Sequence, residues 1–183
     1  DKGRAAARFG LAAVLGSKKV KAIVVRGNME VPIANPEEAE ALRSKYLRQV
    51  RVEQGGSSRF YMIGTPYFFT SAAYTGDAPI KNWKGAYPVD FSQSEIEALS
   101  YENLYRYRSK KYGCFKCPIA CSGIFDVPEG PYAVEKTHMP EYETIAAFGS
   151  NCLNSNLESI IKANDLCNKY GLDTISTGSV IAF

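Results

Sequence analysis

Three thiols stand within eight residues, in Cys114-Phe115-Lys116-Cys117-Pro118-Ile119-Ala120-Cys121. A C-x2-C-x3-C spacing lets one loop aim all three at a single centre, and soft thiolates select zinc, copper(I) or iron–sulfur clusters. Several chemistries compete. A structural zinc site takes four ligands, usually from two paired knuckles. No second C-x2-C is present, although His138 could complete a Cys3His set. A thioredoxin-like pair needs a C-x-x-C in a βαβ setting and leaves the third Cys idle. Radical-SAM enzymes use the reverse spacing, C-x3-C-x2-C. Cysteine is often simply buried, but three this close are hard to ascribe to packing. An iron–sulfur cluster fits best. A [4Fe–4S] cube takes four thiolates, commonly several from one loop and one from far away. Cys152 and Cys167 are the fourth-ligand candidates within the chain. Cys167 falls at an apolar helical position, where a small buried thiol is the ordinary reading.

The elements that must position this loop read as mostly helical. Gly10–Gly16 is a small-residue helical turn with Gly16 as its C-cap. Val20–Val25 is short and β-branched and reads as a strand, closed by Gly27-Asn28. Asn35 as N-cap, Pro36 in the first turn and Glu37 and Glu38 at the positive end mark a helix. Its residues Ala39, Leu42, Tyr46, Leu47 and Val50 predict one buried face, and Gly55-Gly56-Ser57-Ser58 predicts its end. From Arg59 to Pro88 the chain is irregular and aromatic-rich, a core or in part the lining of a substrate channel. A helix is expected over about Ser94–Tyr105. Another runs over Leu157–Tyr170, capped by Asn156 and stopped by Gly171.

Bulk properties bound the function. With 183 residues, 45% hydrophobic and 12% aromatic, the chain can form one or two domains with a core that needs no disulfides. A net charge of +3 gives no case for nucleic acid as partner. No apolar run approaches the ~18–20 residues that span a bilayer, and the opening residues show no leader pattern. The chain starts at Asp1 rather than Met and ends in the apolar run Val180–Phe183. We therefore expect a piece of a larger protein, with some site ligands outside it.

At this point the residues resemble the tungsten-dependent aldehyde:ferredoxin oxidoreductases. The resemblance runs in consistent order along nearly the whole chain. It rests on Gly3-Arg4-Ala5-Ala6-Ala7-Arg8-Phe9-Gly10, on Val14–Ile23, on the Cys114–Cys121 loop, on Pro140-Glu141-Tyr142-Glu143-Thr144 and on Asn168–Ser176. It implies the end of an N-terminal β domain over residues 1–27, followed over 28–183 by most of a helical middle domain truncated at its C-terminus. The implied fold class is thus mainly α with a short β-containing N-terminal segment.

The resemblance also implies cofactors and residues. Two pterins would hold one tungsten (molybdenum in some relatives), a magnesium ion would bridge the pterin phosphates, and a [4Fe–4S] cluster would lie close by. Cys114, Cys117 and Cys121 match three cluster ligands, with the fourth expected outside this chain. Arg4, Ala5 and Ala6 match a pterin-contacting loop, the Ala5 carbonyl lying near the magnesium. Arg8 adds a second cation for a phosphate. Asn168, Leu172 and Asp173 match a D-x-x-G-L-D element that grips the pterin, and an ionised Asp173 suits its N–H donors. Glu143 matches an acidic residue beside the metal, placed to accept a proton or hydrogen bond as water adds to an aldehyde carbon. Without the family, Arg4 and Arg8 read as solvated surface, Asp173 as a helix-end residue, and Glu141 and Glu143 as an exposed acidic stretch. His138 does not match the family's catalytic histidine.

Departures from the family pattern also stand out. Asn168 replaces an Asp, Phe9 and Ala7 replace glycines, and Lys162 and Asp165 occupy the E-x-x-H positions of an inter-subunit iron, so that iron is not expected. The expected activity is oxidation of a small aldehyde to a carboxylic acid, with ferredoxin as acceptor, in an anaerobic cytoplasm. A homodimer is compatible with this, and membrane and nucleic-acid partners are not expected. A relative running acid or other low-potential reduction is the nearest alternative. A non-catalytic zinc- or cluster-stabilised binding module is the alternative of another class.

Overall fold

The computed structural model describes residues 5–52 and 56–183, with the backbone alone at 56 and 57. In order the elements are α1 (Leu11–Ser17), α2 (Pro36–Val52), α3 (Gly56–Met62), α4 (Phe69–Thr75), α5 (Gln93–Ala98), α6 (Tyr101–Leu104), β1 (Arg108–Tyr112), β2 (Ser122–Val127), β3 (Val134–His138), α7 (Tyr142–Phe148), α8 (Leu157–Tyr170) and α9 (Thr174–Ala182). The fold is mainly helical with a small β component, as expected.

The β component lies elsewhere than at Val20–Val25. That run has no regular structure, and Ile23, Val24 and Val25 are exposed. A strand needs a neighbour to take its amides and carbonyls, and no described residue pairs with it. The three strands form instead around the cysteine loop, in the antiparallel order β1-β2-β3. Tyr112 pairs with Ser122 and Lys111 with Gly123, so the loop is the tip of a hairpin. β1 reads Arg-Ser-Lys-Lys-Tyr, with no apolar alternation. Pairing, not propensity, makes it a strand.

Helix ends follow local chemistry where that chemistry is complete. Asn156 Oδ1 accepts the Ser159 amide at 3.0 Å. Gly171 ends α8 in the left-handed region, at φ 72°. Asn35 Oδ1 caps α2 through the Glu38 amide at 3.2 Å. The helix expected over Ser94–Tyr105 is two. Ser92 and Glu95 form a capping box at the start of α5, and Ser100, in extended conformation, starts α6 afresh. Gly16 lies inside α1 rather than capping it, because the chain closes on the Lys18 amide and Lys19 takes the left-handed conformation (φ 56°). Gly56 opens α3 instead of a loop; Gly55 lies outside the described residues.

The α2 stripe does not become core: Leu42 and Tyr46 are exposed, and Leu47 and Val50 half-buried. An apolar stripe says that a helix has a face to cover, not what covers it. The core is built by Phe69, Phe91, Phe125, Met139, Ile145 and Ile160, all nearly inaccessible. So the aromatic stretch is core at Phe69, while Tyr67 and Tyr74 line an open groove of about 690 Å3 with Tyr101.

α7 is central, with Thr144–Phe148 all buried. α9 crosses it so closely that a Cβ on Gly178 would lie 2.6 Å from the Ala147 carbonyl oxygen. Gly178→Val should therefore force the two helices apart and destabilise the fold by about 1–3 kcal/mol, read by urea unfolding. An unchanged midpoint would refute this packing.

Candidate metal and cofactor site

The loop Cys114–Cys121 is pinched at its base, where a Cβ on Gly113 would sit 2.7 Å from Ala120 Cα. The Cys117 amide donates to the Cys114 carbonyl at 2.9 Å. Lys116 (φ 55°) and Ala120 (φ 46°) take left-handed conformations that side chains disfavour. Cys114 is exposed, and Cys117 and Cys121 are partly buried. Burial pushes the Cys121 thiol up, with the Glu141 carboxylate and then Cys114 and Cys117 adding to it, against one lowering backbone hydrogen bond. Three thiolates here would repel one another, and a bound cationic centre would relieve that repulsion. The donor set thus fits a thiolate-bound metal or cluster. Among the described residues no three His, Cys, Asp or Glu side chains already enclose a single ion, so the loop would have to close round one.

The other sequence candidates for this centre sit apart. Cys152 Sγ lies between α7 and α9, sharing its proton between the carbonyls of Ala147 (3.3 Å) and Gly178 (3.4 Å). Cys167 is in the core, and burial pushes both thiols up. Both behave as ordinary protonated thiols. His138 is buried with its ring 4.5 Å from that of Tyr112. It forms no ready Cys3His set with the loop.

The turn after α3 presses on the loop from one side. Gly64 has φ 86°, and a Cβ there would collide with the Cys121 carbonyl oxygen and lie 2.9 Å from Met139 Cε. Next to it, the Thr65 hydroxyl donates to Glu141 Oε2, and its oxygen accepts the Tyr142 amide at 3.0 Å. The Tyr105 hydroxyl donates to the Ile63 carbonyl. Its pKa is pushed up to about 12, chiefly by burial; Arg108 opposes this, and Cys121 and Glu141 add to it. Lys111 Nζ donates to the Tyr61 carbonyl and stands 3.1 Å above the Tyr61 ring. Burial draws its pKa down, Arg108 and Arg51 add to that, and Cys121 opposes it.

Glu141 is therefore the carboxylate held toward Cys121. Glu143, which the resemblance matches to an acidic residue beside the tungsten rather than the cluster, lies two residues on, exposed in the first turn of α7. Thr65 and Tyr105 carry no signal in the sequence and reach the loop through contacts between residues far apart in the chain. Lys111 adjoins the loop in sequence, but its side chain is fixed by the distant Tyr61.

A second grouping joins the two ends of the chain. Arg8 Nε lies 3.7 Å from Asp173 Oδ1. Asp173 Oδ2 caps α9 by accepting the Ser176 amide (2.9 Å) and hydroxyl (2.6 Å). Burial alone would raise the Asp173 pKa, but the bonds from Ser176 and the Arg8 charge outweigh it, and the net direction is down. Leu172 is exposed just after Gly171, and Asn168 is half-buried in the last turn of α8. Ala5 and Ala6 are exposed, with the Ala6 carbonyl accepting the Ala12 amide at 3.1 Å. Gly10 has open space where a Cβ would sit. The half-exposed Arg8 guanidinium, close in sequence to the exposed small residues Ala5 and Ala6, suits an anionic ligand such as a phosphate, and the largely covered Asp173 carboxylate pairs with it. Arg4 lies outside the described residues.

Comparison with known proteins decides the family. The profile described as aldehyde ferredoxin oxidoreductase, domains 2 and 3, matches residues 40–183. The chain belongs to the aldehyde ferredoxin oxidoreductase family. It is 37% identical over its full length to a tungsten-containing aldehyde ferredoxin oxidoreductase of Pyrococcus furiosus, of which it spans 29%. It is 36% identical to the protein of that description from Thermococcus kodakarensis, again spanning 29% of it. It is also 31% identical, over 98% of its length and 28% of the relative's, to a P. furiosus protein described as an aliphatic sulfonate oxidoreductase, WOR-like subunit. The family is one of oxidoreductases, and tungsten appears in the descriptions of its members. None of the described helices is long and apolar enough to cross a membrane.

Asp173→Ala should cost about 1 kcal/mol at neutral pH through loss of the α9 cap. A carboxyl whose pKa is depressed by folding gives stability that is present above its unfolded value and is lost as pH falls through its folded value. The difference between wild type and variant should therefore shrink below about pH 4. Unfolding at pH 7 and at pH 3 tests the sign; equal differences at both would refute it.

Proposed function

We propose that the chain is part of a tungstopterin, iron–sulfur enzyme that oxidises a small aldehyde to a carboxylic acid and delivers the electrons to ferredoxin. The observation that carries this, beyond family membership, is the meeting of Arg8 with Asp173. It unites the two segments that the family pattern assigns to the pterin. In this reading residues 1–27 end an N-terminal β domain and 28–183 belong to the helical domain that follows.

The roles follow from the chemistry of the side chains. Cys114, Cys117 and Cys121 would hold a [4Fe–4S] cluster with a fourth thiolate from outside this chain. Cys152 and Cys167 are occupied in helix packing. Arg4 and Arg8 would pair with the anionic pterin phosphates, Ala5 and Ala6 would allow close backbone approach, and the Ala5 carbonyl would be available to a magnesium ion. Asp173, with Asn168 and the Leu172 backbone, would accept the N–H donors of the pterin. The tungsten centre, when bound, supplies the two-electron redox chemistry. The overall change is aldehyde plus water to carboxylic acid, two protons and two electrons, the electrons leaving singly to ferredoxin. Glu143 would take a proton, or a hydrogen bond, from the water that adds to the carbonyl carbon. The likeness to an aliphatic sulfonate oxidoreductase favours a second reading, in which the same scaffold acts on another substrate at low potential.

The full-length enzyme, purified without oxygen, should contain iron, sulfide and tungsten or molybdenum, and should reduce ferredoxin when given aldehyde. Serine at Cys114, Cys117 or Cys121 should remove the cluster signal. Zinc in place of iron would overturn the assignment. Glu143→Gln should lower kcat at least ~100-fold with metal content unchanged; full activity would exclude Glu143 from the chemistry.

A further inference from the structure

We propose that Glu141 and Lys111 are an opposed pair of fixed charges that sets the reduction potential of the redox centre held by Cys121. The inference rests on the reading that Cys114, Cys117 and Cys121 hold a cluster.

Backbone geometry places the pair. β2 begins at Ser122, immediately after Cys121, and is flanked on both edges. On one edge Lys111 pairs with Gly123 and Tyr112 with Ser122. On the other, the Met139 amide donates to the Gly123 carbonyl at 2.9 Å, and Glu141 follows two residues later. A cation thus comes to the start of β2 from one side and an anion from the other.

Both charges are tethered. Lys111 Nζ is fixed by the Tyr61 carbonyl and ring. Glu141 is fixed by the Thr65 hydroxyl, which the Tyr142 amide also holds. Thr65 follows Gly64, the residue packed against the Cys121 carbonyl. The tether thus adjoins the thiol-bearing backbone. Other groups face this space as well: Tyr105 is half-buried beside it, and Arg108 lies with Cζ 3.9 Å over the Tyr105 ring.

Charge near a cluster acts on its potential with a definite sign. A carboxylate disfavours the added electron and lowers the potential, and an ammonium favours it and raises the potential. Both side chains are partly buried, so water screens them less than it would a surface pair. Neither residue ligates the centre. Each acts through its field, as outer groups around metal sites do.

The test is an EPR-monitored potentiometric titration of the cluster in the full-length holoenzyme. Glu141→Gln should move the midpoint up and Lys111→Met should move it down, with iron content unchanged. Lys111→Arg and Glu141→Asp, which keep the charges, should stay near the wild-type value. Thr65→Val, which releases Glu141 without removing it, should give a smaller upward shift. A purely structural role could not produce shifts of opposite sign. Midpoints unchanged in both neutral variants, or shifts of the same sign, would overturn the proposal while leaving the cluster in place. A wild-type enzyme without iron would instead overturn the cluster assignment, and this inference with it.

Discussion

The close crossing of α7 and α9 is the constraint on which the rest of the arrangement depends. α7 is only seven residues long, yet Thr144–Phe148 are all buried. An isolated helix of that length is unstable in water, so packing alone holds it. Gly178 lets the α9 backbone reach Ala147, and the Thr144 and Thr174 hydroxyls meet at 2.8 Å across the junction. Cys152 fills the same seam with its thiol between two carbonyls. Once α7 is fixed, its first turn has no freedom. Glu141 must meet Thr65, and the start of α9 must present Asp173 to Arg8.

Two candidate sites thus share one helix pair. From the N-terminal end of α7, Glu141 and Thr65 lead to the cysteine loop. From α9, Asp173 leads to the small-residue loop at Arg8. The loop itself is stiffened by the pinch between Gly113 and Ala120 and by hairpin pairing, rather than by burial of its own side chains. That is the arrangement expected of a loop that binds something: a rigid base with the donors left accessible.

Parts of this were legible in the sequence. The bounds of α8 could be read because an Asn cap and a left-handed Gly satisfy the helix ends locally. The cysteine spacing and the likeness of the Arg8 and Asp173 segments to one family pattern could be read for the same reason, as linear chemistry. Other features could not. Val20–Val25 has every local mark of a strand, but pairing is a property of two segments, and no described residue supplies the second. β1 has none of those marks, yet it is a strand because β2 lies beside it. The α2 stripe is likewise a face only partly covered, with Leu47 and Val50 half-buried and Leu42 and Tyr46 exposed.

The sequence by itself determined which side chains are candidates to bind a metal or an anion, because donor type and short spacing are local properties; a pterin entered only through the family resemblance. Helix caps are local too, since a cap and its amide lie within three or four residues. Only the tertiary structure decided that Glu141 is held toward Cys121. Only it separated Cys152 and Cys167 from the loop thiols, and only it brought Thr65 to the loop and tied Lys111 to Tyr61. Those outcomes depend on which distant backbones can approach, and approach is set by packing at Gly64, Gly113 and Gly178, positions whose meaning lies in the neighbour that a missing Cβ admits.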